Sequence, residues 1–295
     1  MTTELSSRVA RFELDMLGAT FERRYRKLRP EVEAMPWGTL EIGRFDESQL
    51  LAARLAWTSA AFQEHRTAVA CCATLRVLLE ARAPLDLIAM ASRFPLDELV
   101  HVELCARMAT ELGGGTEILY DPLDVIADAS PDSSPLLRAC ELVVRFFCVG
   151  EALSIPLLRG TWHAAAHPLP RAVLGCIVRD EAAHGTFGFT FLDWALPLLD
   201  ADERALVGPA ADQAISAVRG LWADIANRPP RVGCEVDALA FMETDTYLAL
   251  AARAMDEKVL RPLRARGVQL AEFPDGAQQV MRAHSAGVIS GAGAV

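Results

Sequence analysis

Asp97-Glu98-Leu99-Val100-His101 and Asp180-Glu181-Ala182-Ala183-His184 are one pattern, D-E-x-x-H, written twice in a chain of 295 residues. Residues three apart share a helix face, so each copy sets a carboxylate beside an imidazole. Around the first copy the spacing of a buried helix face continues through Leu87, Phe94, Cys105, Met108 and Leu112; around the second it runs through Leu174, Ile177, Gly188 and Phe191. Two more stripes have the same form. Trp57, Ala61, Ala68, Cys71 and Leu75 are interrupted by Glu64, and Leu137, Cys140, Val144, Phe147, Ser154 and Leu158 by Glu151. Four apolar helix faces, each broken near its middle by an acid, predict a bundle with a polar centre.

The stripes fall on helices predicted over 48–82, 85–112, 135–164 and 169–199, punctuated by Pro84, the Gly113 to Gly115 run, Asp132 to Pro135, and Pro168 with Pro170. One long crossover with two short turns is a known bundle connectivity. Alternating strand patterns are nearly absent, so the fold class is all-α. Residues 48–199 form a four-helix core with an N-terminal helix before it and accessory helices (201–226 and 235–264) within 200–270, all in a single domain, 1–295. Asp46 or Ser48 can cap the first core helix. The basic cluster Arg23, Arg24, Arg26, Lys27 and Arg29 reads as a solvated face, and Glu103 and Glu141, off the stripes, as solvent-facing acids. Pro95 and Pro156 should bend their helices or mark segment ends. His163 and His167 read as loop residues, and the final SGAGAV as a frayed tail.

The chain is 52% hydrophobic with mean hydropathy +0.21, which excludes general disorder. A net charge of −10 opposes phosphate backbones and anionic lipid, so no nucleic acid and no membrane are expected as partners. Six of the seven cysteines (Cys71, Cys72, Cys105, Cys140, Cys148, Cys176) lie in apolar helical stretches without zinc-type spacing and read as reduced core thiols. MTTELSSRVARFELD lacks an apolar signal core, and no apolar run reaches membrane length; a cytoplasmic location is expected.

The convergence of Glu64, Glu98, Glu151 and Glu181 carries the chemistry. An unpaired buried carboxylate costs several kcal/mol, and four together repel one another, so they must take up protons or be neutralised. Two divalent cations balance four carboxylates, and mixed oxygen and imidazole ligands suit iron or manganese better than calcium or structural zinc. Glu64 has competitors in its neighbours Gln63 and His65, should the helix phase shift. Asp97 and Asp180 fit the carboxylates that accept the remaining imidazole N–H. A crossed arrangement is expected, Asp180 with His101 and Asp97 with His184.

The set Glu64, Glu98-x-x-His101, Glu151 and Glu181-x-x-His184 resembles the complete ligand set of the ferritin-like di-iron carboxylate proteins, over roughly residues 48–199. The resemblance implies a ferritin-like four-helix bundle, two iron ions (manganese or a mixed Mn/Fe pair as alternatives) and reaction with O2. Cys105 stands where the radical-forming reductase subunit has its tyrosine. Ile177 stands where arylamine N-oxygenases have a third histidine. Both subtypes are thereby disfavoured, and the chain's length disfavours a storage cage. The function expected is an O2-activating oxidoreductase acting on a small organic substrate, of hydroxylase, N-oxygenase, desaturase or oxidase type. A ferroxidase or iron-handling protein is the alternative, and a bundle that has lost its chemistry a third. No dinucleotide fingerprint is present, so an external electron donor is expected; a homodimer is one option for assembly. Trp57, Phe94, Cys105, Phe147, Ser154 and Phe191, a turn or two from the ligands, are candidates to line a cavity.

Overall fold

A computed structural model describes residues 9–226, 239 and 242–271. Helix α1 (Ala19–Leu28) precedes the long helices α2 (Glu47–Glu80) and α3 (Leu85–Glu111). A third rod is composite: α4 (Pro135–Val143), a π-helical stretch (Val144–Glu151) and α5 (Ala152–Ala164). Then come α6 (Pro168–Ala195), α7 (Ala201–Ala226), α8 (Thr244–Ala254), a second π-helical stretch (Met255–Leu260) and α9 (Arg261–Ala265). The expected all-α bundle is present. Helix α2 packs along α3 and against α4, α3 against α6, and α6 along α5, which closes a ring of four rods. Helices α7 and α8 lie against the third rod.

Local chemistry fixes the ends of the rods. The Asp46 carboxylate accepts from the Gln49 N–H at 2.8 Å while the Gln49 side chain accepts from the Asp46 N–H at 2.9 Å, a reciprocal capping box. Ser134 caps α4 and His167 caps α6, each followed by proline in the first turn. Helix α3 stops at Gly113 and Gly114, whose positive φ angles (105° and 116°) let their N–H groups turn back onto the Thr110 and Ala109 carbonyls.

The bundle core is divided in two. One apolar cluster contains Cys71, Val77, Phe94, Phe147, Phe187 and Phe191; the other contains Trp57, Ala61, Leu104, Met108, Leu174 and Ile177. On α2, α3 and α6 the change from one cluster to the other falls at the acid, Glu64, Glu98 and Glu181; on the third rod the first cluster runs past Glu151 to Leu157.

Several expectations need correction. Ahead of the expected N-terminal helix, found at Ala19–Leu28, Ala10–Arg11 pairs antiparallel with Leu119–Tyr120, a two-residue contact too short to leave an alternating pattern. Pro95 and Pro156 lie inside α3 and α5 rather than at segment ends. His163 belongs to the last turn of α5. Glu141 is half-buried and accepts from Ser130 N–H at 2.9 Å. Cys72 is exposed, whereas the thiols of Cys71, Cys105, Cys140, Cys148 and Cys176 are buried and free as expected. The expected start of the last helix near 235 and the SGAGAV tail lie outside the described residues.

The π-helical stretch was not anticipated. Val144, Phe147 and Glu151 face inward as their spacing predicts, but beyond them Ser154 and Leu158 are only half-buried while Leu153 and Leu157 are buried. Such a one-residue rotation of the buried face is what a widened turn produces. It ends on Glu151. Against it lies α6, so close at Gly188 that an added Cβ would stand 2.9 Å from the Cys148 backbone nitrogen and 2.8 Å from its Sγ. Gly188→Ala should therefore cost about 1–3 kcal/mol, read as a lower urea midpoint; an unchanged midpoint would mean that the two rods are not held at this spacing.

Candidate metal centre

Glu64 on α2, Glu98 and His101 on α3, Glu151 at the end of the π-helical stretch, and Glu181 and His184 on α6 converge in one place. Two groups of ligand atoms form, each with its members within 4.8 Å of one another: Glu64, Glu98, His101 and Glu181, and Glu98, Glu151, Glu181 and His184. Glu98 and Glu181 belong to both. Each group adds one lone glutamate and one histidine, the pseudo-twofold pattern that the repeated motif implies. His184 Nδ1 lies 2.9 Å from Glu98 Oε1 and 3.2 Å from Glu181 Oε2; His101 Nδ1 lies 3.4 Å from Glu181 Oε1, 3.7 Å from Glu98 Oε2 and 3.9 Å from Glu64 Oε2. The helix phase at Glu64 is as predicted, and His65 turns away to pack on the Phe12 ring.

The centre is nearly closed to solvent, with Glu98, His101 and His184 at 0% exposure, Glu181 at 2% and Glu151 at 5%. Both histidine Nδ1 atoms, both Glu98 oxygens and Glu181 Oε2 nevertheless lack a hydrogen-bond partner. Buried polar atoms are ordinarily satisfied, and each left alone costs about 1–3 kcal/mol. Here donors and acceptors crowd one volume, yet many point at its middle instead of at one another. Buried oxygen and imidazole atoms arranged in this way could hold a metal ion.

Electrostatics describe the same crowding. Burial, with repulsion from Glu98 and Glu181, pushes the Glu64 and Glu151 carboxyls well above the ordinary carboxylate range. Burial alone would lower the imidazole of His184, but its contacts with Asp97, Glu181 and Glu98 outweigh this and push it up to about 12; Asp180, Glu181 and Glu98 likewise push His101 up. Glu181, despite burial, is held below the usual range by His101 and His184.

Each imidazole has an aspartate behind it. His101 Nε2 meets Asp180 Oδ2 at 3.4 Å, as the crossed arrangement predicts. His184 Nε2 stands 3.6 Å from Asp97 Oδ2, the predicted partner, slightly beyond a hydrogen bond. Arg29 joins the two aspartates: its guanidinium donates to Asp97 Oδ1 at 2.8 Å and to Asp180 Oδ2 at 2.5 Å, while Nε donates to Glu31. Only 7% of Arg29 is exposed. It is therefore not part of a solvated basic face. Arg93 adds a second cation, 2.9 Å from Asp97 Oδ2 and 3.5 Å from Asp180 Oδ1. Arg26 also leaves the expected basic face, pairing with Glu103, which is mostly shielded rather than solvent-facing.

The proposed cavity residues have diverse positions. The Phe94 ring sits 4.2 Å from the His184 ring, with Phe147 and Phe187 packed on Phe94 in turn. Phe187 was not foreseen, although it lies three residues after His184 on the same face. Ser154 donates to Glu151 Oε2 at 3.1 Å, so it orients that carboxylate. Trp57 and Cys105 are buried in one apolar cluster. Phe191 packs on Phe187 and Trp194, with Phe187 and Phe94 between it and the histidine.

Comparison with protein-family models and with curated proteins finds no match to this chain. Among the described residues no helix is long and apolar enough to cross a membrane.

Arg29→Met would leave Asp97 and Asp180 with Arg93 as their remaining guanidinium partner. The expected result is a loss of about 3–5 kcal/mol in urea unfolding and metal binding weakened about 10–100-fold. Arg29→Lys, which keeps the charge but not the fork, should recover part of both. Unchanged stability and affinity in Arg29→Met would contradict the role given to Arg29.

Proposed function

We propose that the chain holds two metal ions, most simply iron, and that it is an O2-activating oxidoreductase acting on a small organic substrate with electrons from an external donor. The observation that carries the dinuclear reading is the sharing of Glu98 and Glu181 between two otherwise separate four-residue groups. Two ferrous ions bound there would supply the electron transfer to O2 that amino-acid side chains lack. Manganese, alone or in a mixed Mn/Fe pair, suits the same donors.

The residues have separable tasks. Glu98 and Glu181 would be common to both ions; Glu64 with His101, and Glu151 with His184, would complete one ion each. Asp180, itself held by Arg29, contacts Nε2 of His101, and Asp97, also held by Arg29, stands 3.6 Å behind Nε2 of His184; the Nδ1 atoms are the ones close to the glutamates. Ser154 restrains Glu151. The apolar clusters above and below exclude water, and the Phe94 ring against His184 shields one side.

Three measurements bear on this reading. Metal binding must displace the protons held by Glu64, Glu151 and the imidazoles, so affinity should rise with pH and fall as pH is lowered. Calorimetric titration in buffers of different ionisation enthalpy should show net proton release; none would mean that these groups are not ligands. In the second, Glu98→Gln and Glu181→Gln should impair loading of both ions, whereas Glu64→Gln and Glu151→Gln should each impair one. Equal stoichiometry in all four variants would remove the dinuclear assignment. For the reaction, the ferrous protein is exposed to 18O2 with an arylamine, an alkane and an aldehyde. Oxidised organic product is expected; O2 uptake that tracks only added Fe(II) would instead establish a ferroxidase.

A further inference from the structure

A groove of about 740 Å³ lies between α5 and α8, outside the bundle core. Its lining on α5 falls at Pro156, Arg159, Gly160 and His163, positions that recur on one helix face. The opposite wall comes from α8 and the π-helical stretch after it, with Leu250, Arg253 and Lys258. The walls meet closely at Gly160, where an added Cβ would stand 2.6 Å from the end of the Leu250 side chain. Apolar groups from both helices and three exposed cations therefore line the same groove.

The charge is unbalanced. Among the described residues, Arg159, Arg253 and Lys258 have no ion-pair or hydrogen-bond partner, and no acidic residue lines the groove. The nearby Asp256 is taken up by Arg261 at 2.6 Å. The full chain carries a net charge of −10. Three unpartnered cations gathered round one concavity of such a chain make a local field that attracts anions, and an apolar lining favours a ligand with hydrocarbon to bury.

We infer that this groove binds a small amphipathic anion, a carboxylate carried on an apolar body, with Arg159, Arg253 and Lys258 on the carboxylate and Pro156 and Leu250 against the hydrocarbon. Guanidinium groups suit the planar carboxylate because their paired N–H donors match its two oxygens. The inference does not depend on the metal reading, and its test measures binding alone.

Calorimetric titration of the full chain with sodium octanoate, 1-octanol and inorganic phosphate tests it. Octanoate should bind at one site per chain, with octanol and phosphate each about tenfold weaker or more, the equivalent of one good charge-assisted contact. The double variant Arg159→Glu/Arg253→Glu changes exposed side chains and should lower octanoate affinity about tenfold or more, with the thermal midpoint and metal stoichiometry kept. Lys258→Glu, made separately, should act in the same direction. The inference is overturned if octanoate does not bind, if octanol or phosphate binds as tightly, or if correctly folded charge-reversed variants bind octanoate unchanged.

Discussion

Everything in this fold is arranged around a layer of charge in the middle of an apolar bundle. Four carboxylates and two imidazoles sit where the stripes of four rods would otherwise be hydrophobic, and ions taken from water into such a place carry a penalty of several kcal/mol each. The molecule meets this in two shells. Within, the acids share protons and imidazoles. Outside, Arg29 and Arg93 neutralise the two aspartates that stand behind the histidines. The residual mismatch, visible as buried oxygens and nitrogens without partners, is one that a bound metal ion could relieve.

That constraint also explains the irregular third rod. A uniform α-helix through Val144 to Glu151 would keep one phase along its length; the widened turn instead presents Phe147 and Glu151 to the centre and Leu153 and Leu157 to the core beyond. The stretch is held between α6 and α7, and Gly188 gives α6 the room to lie directly on it. Helices α7 and α8 therefore support the rod whose backbone departs most from regular winding. With α5, α8 also frames the cationic groove.

The bundle and the six inward residues were legible because both are periodic: a helix repeats every 3.6 residues, and an acid on an apolar stripe is conspicuous against that repeat. Of the crossed partners read from the same repeat, Asp180 reaches His101, whereas Asp97 stops 3.6 Å from His184, outside a hydrogen bond, because both its oxygens are drawn to Arg29 and Arg93. Arg29 was not legible. Its partners lie 68 and 151 residues away, and within its own neighbourhood it is one arginine among several. Glu103 was misread for a related reason: it lies off the core stripe, but Arg26 from the N-terminal helix covers it. The π-helical stretch left a trace only in the shift from Glu151 to Leu153 and Leu157, which resembles ordinary core composition until burial is known. Long-range pairing and helix phase both belong to tertiary structure.

The central claim is that the six side chains form one dinuclear site. Iron K-edge X-ray absorption on protein loaded anaerobically with Fe(II), together with metal analysis, tests it most directly. Two irons per chain are expected, in mixed nitrogen and oxygen coordination, with an iron–iron distance of about 3.5–4 Å, as in other two-metal sites. A single iron, or two irons without a mutual scattering contribution, would contradict it.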